Sequence, residues 1–200
     1  MTTTQRPLRV DAKRNYDLLI SAAEAEFTEV GADASLDAIA KRAGVGIGTL
    51  YRHFPTRDDL IAKVLHSGTL AIVALGHELL DDEDPADALQ RWLRELVDQT
   101  TSYRGLTAAL ANGYVSKDKT ELCNSCVHIE KAGAALLERA QQAGEIRPDA
   151  EMKELILTAH SAAWIAEQTK DPQAVDRLLG ILFDGLRVIE PANTRKRRRA

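Results

Sequence analysis

Apolar residues recur at helical intervals along nearly the whole chain, and residues that cap or stop helices divide the pattern into nine segments. In the first segment, Ile20, Ala23 and Phe27 fall on one face. That segment spans 11–30 and ends before Gly31. No run alternates as a strand would, and no internal repeat is present. The pattern therefore predicts an all-α protein.

Two short helices separated by a three-residue turn are predicted over 35–54. Ser35 is a favourable N-cap for the first of them, and Gly44 ends it because glycine adopts the positive φ that reverses a chain. The second helix runs over 47–54 with Leu50 facing inward, and the proline that follows it closes the helix. This arrangement has the spacing of a helix-turn-helix, a motif that binds DNA.

Longer helices are predicted in the rest of the chain. A fourth begins at the Thr56 cap and is expected to run as far as Leu80, with Gly68 and Gly76 as candidate kinks. Five more helices are predicted after it. The first of them begins at Pro85, the next three span 103–112, 117–143 and 150–169, and the last begins after Asp171.

Composition narrows the class of protein. Of the 200 residues, 44% are hydrophobic and 28% charged, which suits a globular chain with a buried core and excludes a disordered one. Two cysteines cannot form a disulfide scaffold. The sequence has no uncharged apolar stretch of about 18 residues and no apolar signal core, so we expect a cytoplasmic protein.

Charge is unevenly distributed around the net value of −4. Residues 1–57 are slightly basic, whereas 58–194 are strongly acidic, and 195–199 form an unbroken basic run. A basic head on an acidic body indicates that the head approaches polyanions. The basic run either strengthens non-specific DNA binding through counterion release or affects only solubility. Arg6 and Arg9 either enter a minor groove or belong to a solvated terminus.

The outer surface of the third predicted helix combines small, hydroxylic and cationic side chains. These residues are Ile47, Gly48, Thr49, Tyr51, Arg52 and His53. Hydroxyl and imidazole groups suit phosphate oxygens, and a small residue allows close approach to a groove edge. Spacing alone leaves an alternative, which is an ordinary helix hairpin with a solvated face.

The run LDAIAKRAGVGIGTLYRHF over 36–54, continued by PTRDDL, resembles the DNA-binding signature of TetR-family transcriptional regulators. The likeness covers about 14–62. It implies an all-helical homodimer with an N-terminal three-helix DNA-binding domain over 1–57 and a C-terminal helical domain over 58–190. The latter would bind a small-molecule effector and the partner subunit, and 191–200 would be a disordered basic tail.

The resemblance also implies roles for individual residues. Thr49, Tyr51 and His53 match positions that contact phosphates or the groove edge. Arg57 matches a phosphate-binding position that is usually lysine, and Ser35 matches a cap that also touches the DNA backbone.

Ile47 and Gly48 match positions where base contact is expected. Arg52 occupies a variable position and would contact either a guanine edge or a phosphate. Gly46 departs from the pattern, because serine is common there as a cap. This departure removes one expected phosphate contact and some stability of the third helix.

Candidate pocket residues lie on the fifth to eighth predicted helices, where apolar and polar side chains could surround a small molecule. They are Trp92, Leu96, Tyr103, Leu106, Asn112, Cys123, Cys126, Val127 and Trp164. Each of them singly is also consistent with ordinary core packing. His160 could face the pocket or the subunit interface, and a histidine with satisfied hydrogen bonds is the favoured interpretation.

The Cys123-x-x-Cys126 pair, with His128 and Glu130 nearby, raises a metal-binding or thiol-sensing alternative. A structural zinc site needs four ligands, and the chain has no second pair at the required spacing. We therefore predict no metal and no cofactor. The chain also lacks a nucleophile elbow, a P-loop and a dinucleotide-binding turn, so we expect no enzyme activity.

Together these features predict a dimeric, sequence-specific regulator, more specifically a repressor released from a double-stranded DNA operator by a small-molecule effector. The wide apolar stripe of the ninth predicted helix favours a homodimer formed through helices eight and nine. The alternative is a helical ligand-binding or sequestering module with only non-specific DNA affinity.

Overall fold

The computed structural model describes residues 5–31, 33–101, 110, 114, 121–171 and 173–188, with 5–9 as backbone only. The predicted sixth helix apart from Leu110, the start of the seventh and the basic tail lie outside these residues, as do the side chains of Arg6 and Arg9. The helices are α1 (Gln5–Glu29), α2 (Leu36–Arg42), α3 (Ile47–His53), α4 (Arg57–Val64), α5 (His66–Glu78), a 3-10 turn (Leu79–Asp81), α6 (Pro85–Thr101), α7 (Glu121–Gln142), α8 (Met152–Thr169) and α9 (Gln173–Leu186).

The all-α prediction is confirmed. Within the described ranges the one β-type contact is an isolated bridge between Ile146 and Arg187. Helix α1 begins earlier than the predicted residue 11, because Pro7 falls in its first turn, where a missing N–H costs no intrahelical hydrogen bond.

The first four helices share one apolar cluster, here called the N-terminal core. Its members include Leu19, Ala23, Phe27, Ile39, Leu50, Phe54, Leu60, Ile61, Val64 and Leu122. Each helix contributes the stripe that its sequence period predicts, and Leu50 is fully buried. The cluster extends beyond residue 57 through α4 and reaches Leu122 on α7.

Local hydrogen bonds fix the turns between these helices. Gly44 has a φ of +70°, and the N–H of Val45 donates to the carbonyl of Ala40 at 3.0 Å. The Ser35 hydroxyl caps α2 by accepting from the N–H of Asp37 at 3.2 Å. Thr56 and Asp59 form a reciprocal capping box at the start of α4. These caps follow the predictions from sequence.

The predicted continuous helix over 57–80 is interrupted. Helices α4 and α5 meet at Leu65 and are bent by 54° relative to one another. Neither candidate kink glycine lies at the break. A Cβ at Gly68 would stand 2.8 Å from Gln99 Oε1, and one at Gly76 would stand 3.1 Å from Trp92 Nε1. Both glycines therefore serve close helix packing. In the described segments no single helix is long and apolar enough to span a membrane. The bent pair of α4 and α5 meets that length and composition only when the two helices are taken together.

A second apolar cluster joins α5 to α9 around Trp92. The indole is fully buried, and its Nε1–H donates to the carbonyl of Ile72 at 3.0 Å. Its ring lies so close to Gly133 that a Cβ there would be 2.6 Å from ring carbons. Helices α5, α6 and α7 thus meet around one aromatic side chain, while α8 packs on α6 and α9 packs on α8.

We expect opposite stability effects from alanine at two nearby glycines. Gly44→Ala should lower the free energy of unfolding by about 1 kcal/mol, because alanine is strained at positive φ although no atom lies within 4 Å of the new Cβ. Gly48→Ala, equally uncrowded but without positive φ, should raise it by about 0.5 kcal/mol. Urea unfolding measures both, and destabilisation of equal size in the two variants would contradict this account.

Candidate nucleic-acid interface and ligand cavity

The inner face of helix α3 is buried in the N-terminal core, and its outer face is exposed to solvent. Leu50 and Phe54 are buried in the N-terminal core, while Gly48, Tyr51 and Arg52 are exposed. Tyr51 keeps 50% of its surface accessible. The buried pair fixes the orientation of the helix, so the exposed side chains have a defined direction.

Three of the predicted contact residues are less exposed than the outer face suggests. Thr49 is partly buried, and Ile47 packs against the N-terminal core, which corrects the expectation that it points fully outward. His53 is also partly buried. Its ring stands 5.9 Å from that of Tyr16 in an edge-on arrangement and 6.2 Å from that of Phe54. The imidazole is thus positioned by aromatic packing.

Two further predicted residues stand at helix starts next to α3. Ser35 is exposed at the N-cap of α2, and Arg57 is the first residue of α4, where it is partly buried. A helix N-terminus favours a phosphate through its dipole and its unpaired N–H groups.

Acidic residues of α1 neutralise one of the basic side chains of the head. The Arg42 guanidinium donates to both carboxylate oxygens of Glu29, at 2.7 and 2.8 Å, and to Glu26 at 3.1 Å. These hydrogen bonds hold the pKa of the Glu29 carboxyl below its usual value. Arg42 therefore ties α2 to α1, whereas Lys41 and Arg52 are exposed cations of the same head.

Gly46 occupies the N-cap of α3 without a side-chain hydrogen bond. Its backbone is extended there, as a capping residue requires, and a Cβ built on it would meet nothing within 4 Å. The missing cap therefore reflects the residue type alone, since the geometry would accept serine.

A cavity of about 240 Å³ lies where the α4–α5 bend meets α6, α7 and α8. Its described lining consists of apolar and uncharged polar residues. They are Val64, Leu65, Ser67, Gly68, Thr69, Leu96, Gln99, Thr100, Leu110, Tyr114, Ile129 and His160.

Of the predicted pocket residues that the structure describes, Leu96 alone lines this cavity. Trp92 and Cys126 are buried elsewhere in the second cluster, and Cys123 is partly exposed. Val127 and Trp164 are corrected to surface positions, because each directly follows an inward-facing residue and the helix turns it outward. Tyr103, Leu106 and Asn112 lie outside the described residues.

The sequence interpretation misjudged one polar side chain near the cavity, His160, and missed another, Tyr114. Both are buried in the described structure, and their rings are 5.6 Å apart. Neither imidazole nitrogen has a hydrogen-bond partner there, and the phenol oxygen has only the thiol of Cys126, a weak partner, close by. The expected satisfied histidine is therefore corrected to an unsatisfied one. The signal was available in part, since His160 falls on the apolar stripe formed by Ile156, Ala159 and Ala163.

The buried Cys126 thiol is not activated for reaction in this geometry. Burial, and secondarily the nearby Cys123, raises the pKa of the Cys126 thiol to about 12, so it stays protonated at neutral pH. In the ranges that the structure describes, no three His, Cys, Asp or Glu side chains are grouped so as to hold a metal ion.

Known proteins match both halves of the chain. Residues 19–64 match the family of bacterial regulatory proteins described as the tetR family, and 84–188 match the C-terminal domain of SbtR-like transcriptional regulators. A crystal structure of a TetR transcriptional regulator from Streptomyces coelicolor is 34% identical, with 87% of this chain and 99% of that one covered, and a TM-score of 0.58.

A more distant structure, RolR in complex with resorcinol, shares the fold at 17% identity, covering 89% of this chain and 90% of that one with a TM-score of 0.62. An HTH-type transcriptional regulator of Staphylococcus aureus is 36% identical over 76 residues, which cover 38% of this chain and 41% of that protein. The chain thus spans less than half the length of such curated relatives.

The buried imidazole predicts a specific pH dependence of stability. Burial lowers the pKa of His160 to about 4, below the usual value of about 6.5 for an unfolded chain. The unfolded state therefore takes up the proton first as pH falls through this window. The free energy of unfolding should decrease by about 2 kcal/mol between about pH 7.5 and about pH 5 on account of this group.

Urea unfolding of His160→Leu at the two pH values checks this contribution. The variant should lose that part of the pH dependence, whereas His128→Leu, which removes an exposed histidine of α7, should retain it. An identical pH dependence in His160→Leu and the unmodified chain would exclude a buried, neutral imidazole.

Proposed function

Because the chain belongs to the TetR family of transcriptional regulators, we propose that it is a dimeric, sequence-specific repressor that a small-molecule effector releases from a double-stranded DNA operator. Members of this family regulate transcription and are not classed as enzymes. The observation that carries the proposal is the outward face of α3, fixed by the burial of Leu50 and Phe54.

In this proposal phosphate contacts position the protein and α3 reads the groove. Thr49, Tyr51 and His53 bind phosphate oxygens, while Ser35 and Arg57 add contacts at the two neighbouring helix starts.

Ile47 and Gly48 face base edges at the front of α3, and Arg52 binds a guanine edge or a phosphate. Ile47 reaches the DNA only with the part of its surface that the N-terminal core leaves exposed. Domain limits of 1–57 and 58–190 remain predictions, as does the role of 191–200.

The cavity at the α4–α5 bend supports a route from effector to DNA. Val64 and Leu65 line the cavity, and α4 contributes Leu60 and Ile61 to the N-terminal core. An occupant that shifts the bend would therefore shift the head. Two recognition helices must enter major grooves about 34–36 Å apart on one DNA duplex, so a small rotation of each head would prevent simultaneous docking.

Exposed apolar side chains on α8 and α9 support a homodimer through these helices. Trp164 and Ile165 are exposed on α8, and Ile181 is 68% exposed on α9. Large exposed apolar side chains on adjacent helices are typical of a surface that a partner covers, and pairing across a two-fold axis would give a four-helix bundle. The proposed location, with its DNA, is the cytoplasm.

Substitutions on the outer face of α3 should weaken operator binding. Thr49→Ala and Tyr51→Ala each remove a hydroxyl, and each should raise the dissociation constant by about tenfold. Lys131→Ala, which removes an exposed cation of α7, should leave it unchanged. Gel shifts with the DNA upstream of the chain's own gene measure these constants over a range of salt concentrations.

The same titrations separate the two function classes. Binding that depends on salt but not on DNA sequence, with equal affinities for the α3 variants and the control, would favour the sequestering module with non-specific affinity over a repressor.

A charge placed on the exposed face of α9 should separate the subunits. Ile181→Asp puts a carboxylate into the proposed interface, where its desolvation is unfavourable, and sedimentation velocity should then show a monomer. Leu70→Asp alters a comparably exposed residue on α5 and should leave the dimer intact. A dimer in both variants would place the interface elsewhere.

A further inference from the structure

Polar atoms of His160 and Tyr114 that lack a strong hydrogen-bond partner single out one side of the cavity. The two residues are 2% and 6% exposed, respectively, so water does not compensate Nδ1, Nε2 or the phenol oxygen from the protein surface. Buried polar atoms are nearly always paired, because an unpaired donor or acceptor loses its hydration without replacement. Two unpaired imidazole nitrogens, beside a phenol oxygen whose near neighbour is only the weakly hydrogen-bonding Cys126 thiol, indicate a place that a polar ligand group completes.

Other polar side chains around the cavity are hydrogen-bonded or keep access to solvent. Ser67, Thr69 and Gln99 are exposed or only partly buried. The Thr100 hydroxyl donates to the carbonyl of Leu96 at 2.7 Å, which leaves it little need of a ligand. Nearby Leu96, Leu110 and Ile129 supply apolar wall. The unsatisfied buried capacity is therefore concentrated on one imidazole and one phenol, which belong to residues that line an otherwise largely apolar space.

The described residues around these two side chains disfavour an anionic ligand group. No lining residue that the structure describes carries a formal charge, and burial keeps the imidazole neutral at neutral pH by lowering the pKa of His160 to about 4. Burial, and then the nearby Cys126 and Glu130, raises the pKa of the Tyr114 hydroxyl. A carboxylate ligand would find no cation among the described lining residues and would have the Glu130 carboxylate nearby, so its desolvation would be costly.

The hydrogen-bonding pattern favours a hydroxyl over a carbonyl. A neutral imidazole has one donor and one acceptor nitrogen, and a phenol both donates and accepts. A carbonyl ligand can only accept, so it would leave the acceptor nitrogen of His160 unpaired. A hydroxyl can donate to that nitrogen and accept from Tyr114 at the same time.

We propose that the effector is a small, neutral, mainly apolar alcohol or phenol, whose hydroxyl donates to a ring nitrogen of His160 and accepts from the hydroxyl of Tyr114. This inference rests on the proposed function, since it names the chemistry of the effector that releases the repressor. The cavity of about 240 Å³ is smaller than the roughly 300–1,000 Å³ typical of sites for drug-sized ligands, which restricts the effector to a compact molecule.

Matched pairs of probes test the hydroxyl requirement on the full chain. Phenol and toluene, cyclohexanol and methylcyclohexane, and hexanol and heptane differ mainly in the hydroxyl, and benzoate adds a negative charge. In titration calorimetry at least one hydroxyl probe should bind about tenfold or more tightly than its hydrocarbon partner, and benzoate should bind more weakly than phenol. Absence of a hydroxyl preference in all three pairs, or tighter binding of benzoate, would overturn the proposal.

Substitutions test which side chains provide the preference. Tyr114→Phe and His160→Leu should each reduce the hydroxyl preference about tenfold while leaving hydrocarbon binding within about twofold. Tyr16→Phe is the matched control, because it removes a tyrosine hydroxyl from the N-terminal core. Both cavity variants also remove unpaired buried atoms, so their melting temperatures without ligand should not fall. An unchanged preference in both would overturn the assignment.

Gel shifts with the upstream DNA separate this inference from the proposed function. Hydroxyl-dependent binding that never releases DNA supports the ligand class and contradicts effector-controlled repression. Release of DNA by benzoate with no response to any hydroxyl probe supports effector control and overturns the ligand class.

Discussion

Packing of α4 into the N-terminal core is the contact through which the two ends of the molecule depend on each other. Leu60, Ile61 and Val64 complete the apolar cluster that orients α3, and Val64 with Leu65 also forms cavity wall. The same short helix therefore belongs both to the helix-turn-helix head and to the body that contains the cavity. Because close-packed side chains do not deform smoothly, a change at the bend is transmitted as a movement of the whole helix.

Local interactions made the head predictable from sequence. The Ser35 cap, the positive φ of Gly44 and the Thr56 capping box each depend on residues a few positions apart, so the sequence contains the whole determinant. The break at Leu65 is different. No cap or stop residue next to Leu65 predicts the break. The two glycines that suggested a kink instead make room for Gln99 and Trp92, which lie against them.

The cavity was the least predictable part for the same reason. Its lining combines residues from five helices, so its position depends on how helices cross and not on any single stripe. Trp164 looked like a pocket residue because it is large and apolar, yet it lies one position past the inward face of α8. Only a polar side chain on an apolar stripe, as at His160, gave a signal that sequence alone could carry.

Participation of Leu122 in the N-terminal core bears on how such regulators could be recombined. The head does not end where the recognition motif ends, since part of its apolar interior comes from α4 and from a leucine on α7. A hybrid that joins this head to the body of a relative would need to carry α4 with it and keep a leucine-sized side chain at the receiving position. Without both, the grafted module would expose hydrophobic surface or enclose a void beneath its own recognition helix.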